Sequence, residues 1–205
     1  MNWIQTISRK FYYFIWKHKA IKEFSTLKYR YMTEVRIGFG SVPPSKYNEE
    51  KESKAILYPA QGNREYPIIL LDLLAHTDCQ DVVSSVRHEY RHAMQHKYWP
   101  AELFPLWAKI RGEEDYFLYY YSPEEIDARA FEKQNSDIPI MQIFDEIQSV
   151  SIQKPIHYLK NCLLVAKKYN VADYPIPEGM ISQIETLLPH EHRYSIGFLN
   201  LSKFR

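Results

Sequence analysis

Apolar residues recur at helical spacing from the beginning of the chain: Ile4, Ile7, Phe11, Phe14, Ile15, Ile21 and Phe24, with His18 in the same register. Steps of three and four residues keep them on one stripe, so residues 3–31 read as a long amphipathic helix. The pattern predicts that this stripe packs on the domain while the Lys/Arg face meets water. The period then changes. "EVRIGFG" alternates Val35, Ile37 and Phe39 on one face, the signature of a strand. The polar, proline-bearing "SVPPSKYNEEKES" (41–53) reads as a loop. "AILYP" and "PIILLDLL" flank the turn-like "AQGNRE" and predict two more strands, joined as a hairpin or as sheet neighbours. A small three-stranded sheet therefore comes first.

Helical spacing returns after Thr77. Thr77 with Gln80 three residues on has the form of a capping box, and a helix is predicted over about 78–98, stopped by Pro100. Val83, Val86, Tyr90, Ala93 and Met94 fall on one side of it, and Ser85, His88, His92, Gln95 and His96 on another. Ser122-Pro123, with Glu125 following, opens a further helix with a good N-cap, a proline suited to the first turn and a second capping box. Helices near 138–150, 154–169 and 178–188 complete the pattern, broken by "YPIP" and "PHEH". The expectation is an α+β fold. A basic amphipathic helix (1–31) precedes a core at 32–135, and 136–205 forms a helical remainder of the same domain.

Composition narrows this only slightly. A chain of 205 residues with 45% hydrophobic and 25% charged residues is an ordinary globular protein rather than a disordered one. Two cysteines, Cys79 and Cys162, build no disulfide framework, which suits a reducing cytoplasm. "FYYFIW" is too short and too aromatic for a signal peptide, and nothing approaches the roughly 20 apolar residues of a membrane span. The net charge of +1 excludes a global basic field, but the charge is uneven. Residues 1–30 carry Arg9, Lys10, Lys17, Lys19, Lys22, Lys28 and Arg30 against Glu23 alone, a net +6 that leaves −5 on the rest. That segment is a candidate surface for anionic lipid, nucleic acid or a protein partner.

The chemistry is concentrated in "VRHEYRHAMQH", Val86 to His96. His88 and His92 stand one turn apart on a helix, where both imidazoles can bind a single Zn²⁺. Glu89 lies about 100° round, placed to take a proton from a water whose pKa zinc lowers to roughly 7. A metzincin would carry a glycine and a third histidine where Gln95 and Tyr98 stand, so that class is excluded. His96 is two turns from His88 and cannot join both on one ion from a straight helix. It suits a supporting or substrate-facing place. The third ligand is expected from 122–132, where Glu125, Ala128 and Glu132 share a face and small Ala128 permits close approach. Glu125 fits best, with Glu124 and Asp127 as alternatives, although Glu125 could instead serve as the capping-box partner of Ser122.

"HEYRHAMQ" followed by "SPEEIDARAFE" resembles the gluzincin arrangement of small zincin-fold metallopeptidases, among them the ImmA/IrrE-like proteins of mobile elements. Their Glu-x-x-Ala-x-x-Phe motif is matched by Glu125, Ala128 and Phe131, and the resemblance covers about 65–132. It implies a zincin fold with His88, His92 and Glu125 as ligands of one zinc and Glu89 as general base. Gln95 and His96 depart from it, standing where that group usually shows a less polar stretch. A tyrosine would donate to the oxyanion, with Tyr98 and Tyr121 as candidates alongside Tyr116, Tyr119 and Tyr120. Asp127, Asp72 or His96 would support the ligand histidines. The expected activity is hydrolysis of a peptide bond in a protein or peptide substrate. The competing expectation is a non-catalytic zincin-like module that docks a partner through the N-terminal helix.

Overall fold

The computed structural model describes residues 3–43, 53–62, 64–99, 119–134, 138–148 and 155–174. The loop predicted at 41–53 lies mostly outside them, as do Tyr116 and the helix expected at 178–188. The described residues form an α+β structure with five α-helices and one three-stranded sheet. The chain divides into two compact units, residues 1–97 with 131–135, and residues 98–130 with 136–205.

The first unit begins with helix α1 (Trp3–Tyr31), followed by strands β1 (Arg36–Phe39), β2 (Ala55–Tyr58) and β3 (Ile68–Leu71). The sheet order is β1-β3-β2. β3 pairs parallel with β1, Arg36 facing Ile68, and antiparallel with β2, Ala55 facing Leu71. The central strand takes the most apolar sequence, and its Ile69 and Leu71 are fully buried. A 3-10 turn at Leu73–Ala75 leads from β3 into helix α2 (Cys79–Tyr98), and the Asp72 carboxylate caps that turn by accepting from the Leu74 amide.

The start of α2 differs from the expected Thr77/Gln80 box by one residue. Asp78 is the N-cap: its carboxylate accepts the Asp81 amide at 2.8 Å and its carbonyl accepts the Val82 amide. A carboxylate at that position satisfies an amide and faces the positive end of the helix dipole, an advantage threonine lacks. Asp81 reaches back to the Thr77 amide and hydroxyl and pairs with Lys54 at 2.6 Å. Burial pushes the Asp81 carboxyl up, but the Lys54 ammonium and the Thr77 amide outweigh it and hold it below its usual value.

Val86, Tyr90, Ala93 and Met94 of the predicted apolar side of α2 are buried, but the first position is taken by Val82, and the expected Val83 is only partly buried. Tyr90 meets Phe24 edge-on at 6.0 Å, and Tyr31 contacts both Tyr90 and Phe131. Helix α1 departs from expectation. Its inward stripe is Ala20, Phe24 and Leu27, whereas Phe11, Phe14 and Ile21, placed by periodicity on the packed side, are exposed. The reason is geometric: an aromatic-rich run has no single apolar face, so the domain selects one from several.

The second unit contains helices α3 (Pro123–Gln134), α4 (Gln142–Gln148) and α5 (Pro155–Lys168), α3 passing into the first unit from Phe131 onward. Ile126, Ala130, Ile143, Phe144, Ile147, Cys162, Val165 and Ala166 form its core. Trp99 donates its indole N–H to the Ile140 carbonyl, and Asn161 caps the end of α4 by donating to the Glu146 and Ile147 carbonyls. After α5 the chain turns through Asn170, whose φ of 58° is one that asparagine tolerates. The Val171 amide then closes on the Ala166 carbonyl.

One side chain organises the segment before and within α3. Arg129 is buried and donates to the carbonyls of Glu125, Val171 and Tyr120 while its guanidinium stacks on the Tyr120 ring. A planar cation with five donors is suited to collecting carbonyls from three separate stretches of chain.

A candidate metal centre

His88 and His92 lie on the partly buried side of α2, the one turn apart that their spacing demands. Their Nε2 atoms face each other at 3.1 Å, the rings crossing edge-to-face. Two imidazole nitrogens each about 2.0–2.1 Å from one tetrahedral ion stand about 3.3 Å apart, so the observed spacing is close to that of a shared ligand pair.

The outer nitrogens fix what the inner ones must be. His88 Nδ1 meets the Glu132 carboxylate at 3.2 Å, and His92 Nδ1 meets the Gln95 side-chain oxygen at 2.8 Å. Carboxylate and amide oxygens only accept, so in this arrangement both Nδ1 atoms carry a hydrogen. In the neutral rings both Nε2 atoms are then lone pairs aimed at one another. Such a pair repels unless a cation stands beside it, so the two rings could share a metal ion.

Glu125 completes the set. Candidate ligand atoms of His88, His92 and Glu125 all lie within 4.8 Å of one another. Glu125 is buried in the first turn of α3, where the helix dipole favours an ionised carboxylate. Ser122 caps this helix, its hydroxyl accepting the Glu125 amide, but the reciprocal half of the expected box is different. The Ser122 amide donates to the Tyr119 carbonyl, where a capping box would have it bond Glu125. Glu89 sits next to His88 on α2, partly buried, a quarter-turn round from the ligands.

The outer nitrogens of the two histidines meet Glu132 and Gln95. Asp127 is fully buried. Asp72, the other expected acceptor, is used at the 3-10 turn. His96 is exposed one turn further along α2. Of the tyrosines, Tyr121 is buried and donates its only hydroxyl hydrogen to the Tyr174 carbonyl at 2.6 Å, which removes it as an oxyanion donor in this arrangement. Tyr120 likewise donates to Asp173, and burial raises its pKa further. Tyr98 is exposed at the end of α2.

Gln95 and Glu132 carried signals the sequence pattern could have yielded. Gln95 follows His92 by three residues, a same-face helical pair, and Glu132 follows Glu125 by seven, two turns along one face. The polar Gln95, an oddity as a sequence feature, is fully buried and makes sense as a histidine partner. Arg87 pairs with Glu23 of α1 at 2.6 Å. Arg91 is fully buried over the Phe131 ring.

A histidine outside the pair braces the helix. His76 Nδ1 meets the Asp72 carbonyl at 2.7 Å, which requires a hydrogen there, and its Nε2 accepts from the Ser85 hydroxyl at 3.0 Å. Burial lowers the His76 pKa, consistent with this neutral tautomer. The bridge ties the chain ahead of α2 to the turn that precedes His88.

The importance of Glu132 can be measured. If the pair holds zinc, Glu132→Ala is expected to weaken its affinity about 10- to 100-fold, read by competition with a chromogenic chelator. An unchanged affinity would mean that the carboxylate does not orient His88. No protein-family model, curated protein or solved structure matches this chain.

Proposed function

We propose that this chain is a zinc-dependent peptidase of the zincin type, with His88, His92 and Glu125 as metal ligands and Glu89 as general base. One observation carries the reading: two outer nitrogens committed to acceptors leave two inner lone pairs converging at 3.1 Å, with a buried carboxylate beside them. The donor set suits zinc, two imidazoles and one carboxylate being a common catalytic combination that leaves a coordination position open.

A zinc ion there would supply Lewis acidity, lowering the pKa of water and polarising a substrate carbonyl. The remaining work belongs to the chain. Glu132 and Gln95 keep both imidazoles in the tautomer that presents Nε2. Glu89 takes the proton from the attacking water as its oxygen adds to the carbonyl carbon, then passes that proton to the nitrogen as the C–N bond breaks. The presence of a carboxylate beside the ligands favours this reading over a non-catalytic module, because a purely structural ion needs ligands and no base.

Metal content tests the site. The purified chain is expected to hold one zinc, and His88→Ala or His92→Ala to lose it, measured by elemental analysis after dialysis against a weak chelator. Full zinc retention in both variants would place the metal elsewhere and end the proposal.

A further inference from the structure

We propose that the outward face of α1 docks on an anionic lipid bilayer. Several aromatic residues of the helix face solvent although Phe24 packs inward. Phe11 is 62% exposed, Phe14 71% and Tyr29 86%. On a helix of 3.6 residues per turn, Phe11, Phe14, His18, Lys22 and Tyr29 fall within a sector of about 80°, with Lys19 and Ile21 flanking it. Lys19, Lys22 and Ile21 are exposed as well. The opposite side, with Ala20, Phe24 and Leu27, is the one that packs inward. The outward stripe is therefore a second amphipathic surface, with rings toward its N-terminal half and ammonium groups following.

Charge selects the occupant. Residues 1–30 carry seven basic side chains against Glu23, whereas the remainder of the chain is net negative. Glu23 itself is turned inward onto Arg87, which leaves cations in command of the outer face. An anionic bilayer meets both halves of this surface at once: phenylalanine rings enter the boundary between headgroups and acyl chains while lysines reach the phosphates on flexible stems. A helix of 29 residues is about 43 Å long and can lie flat on such a surface without needing a complementary partner shape. A nucleic-acid duplex would engage the lysines but leave the rings in water, and a single strand is ordinarily gripped in a groove rather than on a convex helix. No described helix is long and apolar enough to cross the membrane, so the contact would be a peripheral one.

Cosedimentation of the full chain with vesicles tests this. Binding is expected to phosphatidylcholine vesicles containing phosphatidylserine, to be much weaker on phosphatidylcholine alone, and to fall as salt rises from about 0.05 to about 0.5 M. Phe11→Ser/Phe14→Ser should reduce partitioning at least about tenfold, and Lys19→Gln/Lys22→Gln about fivefold for each lysine removed. All four positions are exposed, so unchanged far-ultraviolet dichroism should accompany both variants. Absence of binding to the anionic vesicles overturns the proposal, as does equal binding to neutral ones. It is overturned equally if the same substitutions leave vesicle binding intact, if they abolish binding to an oligonucleotide while vesicles stay unbound, or if they only dissolve a dimer seen by light scattering.

Discussion

Glu89→Gln is expected to keep one zinc per chain and to lower peptide-bond hydrolysis by a factor of about 10² to 10⁴, the usual contribution of a positioned general base. The glutamine is nearly the same shape and still accepts hydrogen bonds, but it cannot take a proton. Metal content and catalysis therefore separate in this one variant, which distinguishes a base from a ligand. Mapping new N-termini in a peptide library incubated with wild type and with Glu89→Gln supplies both the readout and the substrate preference. Equal turnover by the two proteins would remove Glu89 from the mechanism, whatever the metal content shows.

The second large effect is on stability. Arg129→Leu is expected to cost about 3 kcal/mol, because it strands the buried Val171 carbonyl and leaves the partly buried Tyr120 carbonyl without its donor, rather than merely deleting a contact. The guanidinium serves Glu125, Tyr120 and Val171, and none of these acceptors gains a replacement donor from leucine. Stacking on Tyr120 is lost as well. Lysine should rescue little, since one ammonium cannot reproduce a planar fork. Urea unfolding with an unchanged slope and a lower midpoint is the expected signature. A cost under about 1 kcal/mol would show that water replaces the arginine at these carbonyls.

These two residues mark how far the sequence could be read. The HExxH spacing was enough to put His88, Glu89 and His92 together on one helix, because helical periodicity is a local property. The strands at 36–39, 55–58 and 68–71 were legible for the same reason: each is a short run with its own period, bounded by turn residues. The glutamate helix was legible through Ser122 and Pro123. What escaped depended on distance in space. Nothing local marks Arg129 as a collector of carbonyls, since its partners lie as far along the chain as Val171. Nor does periodicity decide which side of an aromatic-rich helix faces inward, which is why Phe11 and Phe14 were placed on the wrong side of α1. The cap of α2 slipped by one residue because Thr77 and Asp78 are both good N-caps, and only the hydrogen bonds choose between them.

Glu132 and Gln95 make the two histidines unequal. A carboxylate draws the Nδ1 hydrogen of His88 toward itself and enriches the opposite nitrogen, whereas an uncharged amide does so less for His92. In a loaded site the bond from His92 would then be the weaker of the two. Gln95→Glu would be expected to even out the pair and to slow zinc release.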